Sequence, residues 1–295
     1  MTNIYLIISN LNTGSYSMKY NLIKKINLKK VNLIVSSKII PNKNSLYIII
    51  KKVNSGFFEE IKKLKKYNNY FIFEPLDLGW NKEPLSKYVN FMSSIIENFD
   101  YIIFNSKYTQ SLFAKNVNNS SVIYHEYDSR FSNNSKVQPI VQYIGSESKS
   151  SFSKKDFDKY NISHVHASKY INNFKDNVLT SIHIDHLNDN FTYYHIHTAT
   201  KLSTAIYYNS IFICNKIPVY VELLGNDYNL YLKDDLSNIE EIISNAKEII
   251  NDNDLYNNYV SKMKNVKRVL SPENVKDCYE KIIKSFLKKI KKNKI

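Results

Sequence analysis

The chain has 295 residues, 43% of them hydrophobic, and its 41 Lys and Arg against 27 Asp and Glu give a formal charge of +14. That apolar content suffices for one large or two mid-sized cores and excludes wholesale disorder, while no apolar run approaches the ~18 residues of a membrane-spanning helix. The charge suits an anionic partner, although a bias toward Lys, Asn, Ile and Tyr, of the kind an AT-rich coding sequence imposes, accounts for part of it.

The opening MTNIYLIISNLNTG carries no basic leader and reads as a first buried strand, IYLIIS over 4–9. A helix is expected over 17–27, then strands over 31–37 and 46–50, a helix over 57–67 and a strand over 70–75 that Pro75 stops. Pro84 opens a helix over 84–99, where its missing N–H costs nothing. DYIIFNS (100–106) follows as a strand, KYTQSLFAKN (107–116) as a helix with Ser106 as its N-cap, and SSVIYH (120–125) as the last strand of this half. Repeated β-then-α order predicts a doubly wound parallel sheet. The polar stretch 126–139 reads as a linker. A second series follows: strands over 139–146, 163–168 and 180–185, a helix over 200–209, the strand IFICN, and VYVELLG as a strand-to-helix turn. Beyond about residue 237 the pattern is helical, with Pro272 starting the last helix behind Ser271. With only Cys214 and Cys278, a disulfide framework is not expected, and the reading is a cytosolic, reducing compartment.

HTATKLSTA (197–205) places Lys201 among Thr198, Thr200 and Ser203 at a helix start. Free N–H groups and the helix dipole make such a start attractive to an anion, and an ammonium adds a full charge. The same residues also suit an ordinary helix cap with a solvated lysine. Gly145 and Ser146 end a strand, where a glycine lets backbone approach a ligand or simply makes a tight turn. The loop Asn12-Thr13-Gly14-Ser15 follows the first strand and is open to a phosphate or acceptor contact, without the G-x-G-x-x-G dinucleotide fingerprint.

Taken in order, SKYTQSLFAKN, VIYHEYDSRF, VQYIGS and HTATKLSTAIYYNSIFICNKIPVYVELLGNDYNLYL resemble the corresponding segments of GT-B glycosyltransferases of the group-1, family-4-like kind, over roughly 100–232. The resemblance implies two Rossmann-like doubly wound parallel-sheet domains facing a cleft, with C-terminal helices. It places an acceptor-side domain at 1–126, a nucleotide-sugar-binding domain at 127–271, and a C-terminal helix, 272–295, packing back on the first domain. It implies metal-independent, retaining transfer of a sugar from a nucleotide-sugar donor to a glycan, lipid-linked or other hydroxyl acceptor. Thr200, Lys201 and Ser203 would hold the donor diphosphate and stabilise it as it departs. Gly14, Gly145 and Ser146 would line the donor, Glu222 would accept bonds from ribose or sugar hydroxyls, and His125 would orient the sugar or acceptor. Glu222 as a helix cap and His125 as a structural residue stay open beside those roles.

The chain also departs from the family: the E-x7-E donor motif is not cleanly present, His197 stands where relatives often carry Lys or Arg, and Ala199 where many carry Pro. A catalytically diverged protein that binds a nucleotide or glycan without transfer is therefore the second reading. No metal is expected. His183, His186, His195 and His197 lack the added carboxylate or thiolate that zinc sites usually carry, and DFD (156–158) and DND (252–254) do not follow an apolar strand. Scattered tyrosines argue against nucleic acid. The last helix sets Ile282, Ile283, Phe286, Leu287 and Ile290 on one face, with Lys281, Lys284, Lys288 and Lys291 mostly elsewhere. Core packing against the first domain is expected, with peripheral membrane docking through this basic helix as the alternative.

Overall fold

The computed structural model describes residues 2–8, 14–28, 30–51, 55–76, 83–117, 119–128, 137–147, 150–166, 180–190 and 192–293. They fall into two compact units, 1–124 with 273–295, and 125–272.

The first unit is a six-stranded parallel sheet in the order β2-β1-β3-β4-β5-β6. Its strands are β1 (Thr2–Ile7), β2 (Val31–Ser36), β3 (Leu46–Ile50), β4 (Tyr70–Glu74), β5 (Tyr101–Phe104) and β6 (Ser120–Val122). Four helices intervene: α1 (Gly14–Lys24), α2 (Ser55–Lys65), α3 (Leu85–Ile96) and α4 (Lys107–Leu112). β3 is buried at all five positions, as a continuous apolar run requires of a central parallel strand. Tyr5, Tyr47 and Phe71, side by side on β1, β3 and β4, stack at 4.9 and 4.7 Å between ring centroids. No helix joins β2 to β3; residues 37–45 cross over β1 as a loop. Asn69 holds that loop, accepting from the Ser45 N–H and donating to the carbonyls of Asn42 and Leu64. Ser106 caps α4 by accepting from the Thr109 N–H at 2.9 Å, and Pro84 sits one position before α3 as its N-cap.

The last helix, α11 (Pro272–Lys292), belongs almost wholly to this unit. Val275, Tyr279, Ile283, Phe286, Leu287 and Ile290 pack into the core beneath β1, β3 and β4. Its apolar stripe is thus filled by the unit's own core and is not a membrane-facing surface. Lys281, Lys284, Lys288 and Lys291 point outward, Lys284 paired with Glu280. Behind the helix lies a buried ion pair, Lys19 to Glu74 at 3.3 Å, to which the Tyr279 hydroxyl donates.

The second unit is a five-stranded parallel sheet in the order β11-β10-β9-β7-β8. Its strands are β7 (Val141–Gly145), β8 (Ile162–His166), β9 (Ile182–Asp185), β10 (Ile211–Asn215) and β11 (Tyr231–Leu232). The helices are α5 (Lys154–Lys159), α6 (Thr192–Ile196), α7 (Thr200–Tyr207), α8 (Pro218–Leu224), α9 (Ile239–Asn251) and α10 (Asn253–Val269). Renumbered from its own first strand, this sheet reads 2-1-3-4-5, the order of the first five strands of the other unit. VYVELLG is helical rather than a strand-to-helix turn: Pro218 stands at the first helical position, and Gly225, at φ +87°, ends the helix. His195 lies in α6. Of the expected linker, residues 129–136, with Arg130, lie outside the described residues.

Candidate functional site

In a sheet of this order the topological switch falls between strands 1 and 3, here β7 and β9, and ligands in open α/β sheets bind at the carboxyl ends there. β7 ends in Gly145 and β9 in Asp185. Asp185 is fully buried, a poor place for a carboxylate unless donors surround it. Three do. The Lys201 ammonium lies 2.5 Å from Oδ1; the Tyr220 hydroxyl donates to Oδ2 at 2.6 Å; His197 Nε2 stands 3.5 Å from Oδ2 and 3.1 Å from the Tyr220 oxygen. α7, α8 and the α6–α7 turn thus converge on the end of one strand.

Lys201 has a second partner. Its ammonium donates to the Tyr143 hydroxyl at 3.0 Å and lies 4.3 Å from that ring's centroid. Tyr143 in turn donates to the Ser146 carbonyl at 3.0 Å. Burial raises the Tyr143 and Tyr220 phenols above their ordinary values, so both stay protonated donors. Burial also opposes charge on Asp185 and on Lys201, but each is the other's counter-ion: the carboxyl is held well below its usual range and the ammonium above its own. The pair is therefore ionised.

Gly145 fits against this lysine as no other residue would. Its φ is +149°, a backbone region L side chains rarely adopt, and a Cβ there would lie 3.2 Å from Lys201 Cε and 3.4 Å from the Tyr143 oxygen. The start of α7 is left open. Its N-cap is Ala199, with no side-chain cap, so neither Thr198 nor Thr200 caps the helix as a cap reading requires. The two threonine hydroxyls face each other at 3.4 Å.

The structure thus brings Gly145, Ser146, Thr200 and Lys201 together at the β7/β9 end. Ser203 is placed differently. It is buried in the first turn of α7, and its hydroxyl is spent within the fold, donating to the Thr200 carbonyl at 2.8 Å and toward the Glu126 carbonyl at 3.4 Å. His125 is buried beside Glu126, its Nδ1 3.0 Å from the Glu126 carbonyl oxygen, and its Nε2 has no hydrogen-bond partner among the described residues. Glu222 is half-buried on α8, two residues and about 200° around the helix from Tyr220, and so on the opposite face from the Asp185 cluster. Gly14 is the first residue of α1 in the other unit; Asn12 and Thr13 lie outside the described residues.

Sequence reasoning did not single out Asp185, Tyr143 or Tyr220, and it read His197 only as a departure from a family pattern and as one of four histidines not expected to hold a metal. The signal for Asp185 was present: TSIHID is an apolar strand that ends in a carboxylate. Two of the other histidines bond within the unit. His183 Nε2 meets the Ser210 hydroxyl at 3.2 Å, and His186 meets Ser151 and the Lys233 carbonyl. Asp156 completes a capping box on α5, and Asp252 caps α10. Among the described residues no group of three or more His, Cys, Asp or Glu side chains is gathered to hold a metal, and no helix is long and apolar enough to cross a membrane.

No family model matches the chain, and no curated protein matches its sequence. Solved structures do match its fold. Anabaena HepE in complex with UDP-glucose superposes with a TM-score of 0.59 at 10% identity, over 96% of this chain and 99% of that one. The same protein with UDP and glucose gives 0.56 at 9% identity, over 97% and 100%. A pneumococcal O-GlcNAc transferase, GtfA, solved with UDP and GlcNAc, gives 0.49 at 10% identity over 84% of this chain, which spans 58% of its length. The architecture, two parallel-sheet α/β domains of six and five strands with C-terminal helices, is GT-B-like.

Proposed function

We propose that this chain is a nucleotide-sugar-dependent glycosyltransferase that works without a metal and moves a sugar to a hydroxyl of a glycan or lipid-linked acceptor. The observation that carries the reading is the open first turn of α7, with Lys201 at its second residue and Gly145 packed against the lysine's side chain at the sheet's switch point. A diphosphate there meets free backbone N–H groups, the positive end of a helix and an ammonium, and these stabilise the charge that develops as the nucleoside diphosphate leaves. A ligand-bound likeness of fold supports the same reading, since HepE was solved with UDP-glucose. Glu222 is proposed to contact donor hydroxyls and His125 to orient the sugar or acceptor through its free Nε2. Retention of anomeric configuration and a cytosolic setting complete the proposal; the anomer formed, followed by NMR, tests the former.

One observation favours a second reading. Lys201 carries its own buried counter-ion, Asp185, so the pair brings no net charge to the site. A chain that has diverged to bind a nucleotide without transfer would tolerate that. A thermal-shift screen against nucleoside diphosphates and their sugars, with and without Mg²⁺, tests both readings. Ligand at 100 times its Kd stabilises the folded state by about 2.7 kcal/mol. A metal-independent shift, lost in Lys201→Ala while the fold survives, is expected, and sugar release or transfer then separates enzyme from binder. No shift with any member of the panel overturns both.

A further inference from the structure

We propose that Asp185 is the positioning residue of the donor-phosphate site: it fixes the Lys201 ammonium beside the α7 N-terminus and remains its counter-ion while the diphosphate takes the remaining N–H. The inference rests on the donor reading above and adds a residue to it that touches no substrate.

An ammonium has three donors. Two of those on Lys201 are used, one on Asp185 Oδ1 and one on the Tyr143 hydroxyl, and the third has no partner among the described residues. The lysine side chain keeps 14% exposure where the aspartate keeps none, so of the two partners only the lysine borders solvent. Asp185 itself is immobilised from two further directions, by the Tyr220 hydroxyl at 2.6 Å and by His197 at 3.5 Å. A flexible four-carbon amine thus arrives at the helix start already oriented, and little rotamer freedom remains to be lost when an anion binds. The arrangement also has a charge logic. A buried lysine without a counter-ion surrenders its proton near neutral pH. Asp185 prevents that.

The titratable groups around the lysine are Tyr143 on β7, Asp185 on β9 and Tyr220 on α8. Asp185 in turn faces His197, His186 and Cys214, and beyond Tyr143 lie His164 and Glu147. Any of the histidines is able to impose its own pH dependence, so the test must isolate Lys201.

The experiment is isothermal titration from about pH 7.5 to about pH 9.5, above the ionisation of the ligand's terminal phosphate at about pH 6, with whichever of UDP, GDP, CDP and ADP the wild-type chain binds, using wild type, Asp185→Asn and Asp185→Asn/Lys201→Arg. Wild-type affinity is expected to be flat in pH. In Asp185→Asn the lysine loses its counter-ion, and affinity falls by about tenfold per pH unit once pH exceeds the lysine's lowered pKa. The double variant carries a guanidinium that does not deprotonate, and its profile is flat again. A flat profile at wild-type affinity in Asp185→Asn overturns the inference. So does a slope that persists in the double variant, because it then belongs to a histidine. Wild type that binds none of the four removes the donor reading and this inference with it, an outcome distinct from wild-type binding with an indifferent Asp185. If Asp185→Asn does not fold, Tyr220→Phe removes one donor from the carboxylate without changing charge. A several-fold weaker Kd at an unchanged slope is then expected, and an unchanged Kd counts against the role.

Discussion

Each unit buries a lysine against a carboxylate with a tyrosine hydroxyl on the same carboxylate. In the first, Lys19 of α1 meets Glu74 at the end of β4, and Tyr279 of α11 donates to it. In the second, Lys201 of α7 meets Asp185 at the end of β9, and Tyr220 of α8 donates to it. In both, an ammonium also lies against a tyrosine ring, 5.1 Å from Tyr279 and 4.3 Å from Tyr143. The chemistry is the same and the placement is not. Lys19 sits in the middle of its helix, fully enclosed, beneath a helix that closes the unit. Lys201 sits in the first turn of an uncapped helix, partly exposed, beside a glycine at a switch point. Pairing alone therefore does not mark a site; what sets the second pair apart is a partly exposed lysine at a strand's carboxyl end.

The largest expected effect breaks the closed pair. Lys19→Ala leaves Glu74 buried without its cation and is expected to cost about 3–5 kcal/mol in urea unfolding, with the surviving folded fraction still binding nucleotide. Lys201→Ala is expected to cost less stability, since Asp185 keeps Tyr220 and His197, and, on the donor reading proposed above, to abolish nucleotide binding. Equal stability losses at the two positions would make the second pair a piece of core like the first.

Next in size are the two hydroxyls. Tyr279→Phe and Tyr220→Phe each remove a hydrogen bond to a buried carboxylate, worth about 1.5–3 kcal/mol. Only the second is expected to raise the KM for the donor as well. Gly145→Ala follows, at about 1–3 kcal/mol of backbone strain. The added methyl also presses on Lys201 Cε, so on the proposed donor reading nucleotide affinity is expected to fall with stability. Gly225→Ala is the control: its φ of +87° is strained too, but nothing lies within 4 Å of the new methyl, and only stability should move.

Much of this architecture was legible in the sequence, for a physical reason. Buried parallel strands are continuous apolar runs, so LYIII, YFIFE and IFICN announce themselves, and Ser106 and Pro272 punctuate their helices as caps and first-turn prolines do. Short elements without a period were not: β11 has two residues and α6 five. The candidate site was legible in half. Lys201 and Gly145 stood out because a helix start and a strand-end glycine are local features. Asp185 did not, because its meaning comes from partners 16 and 35 residues away and from a strand order that is fixed only when the sheet assembles.

The smallest expected effect is none at all, and it sharpens the comparison from the side of pH. Asp185 is held below its ordinary value of 3.8, so its contribution to stability is full above that value and is lost as pH falls through the folded one. Lys201 is held above its ordinary 10.5, so its contribution is full below that value and is lost as pH rises through the folded one. Between about pH 5 and about pH 9 the pair therefore contributes a constant amount. Unfolding free energies of wild type and of Lys201→Ala, measured across that window, should run parallel, because the histidines and other titrating groups are common to both curves. Below about pH 4 the curves should converge, as protonation of Asp185 removes from the wild type what the substitution has already removed. Divergence inside the window would mean that Asp185, left buried without Lys201, or a neighbouring histidine, His197 or His186, takes up a proton there. The open site would then differ from the enclosed Lys19–Glu74 pair in its titration as well as in its access.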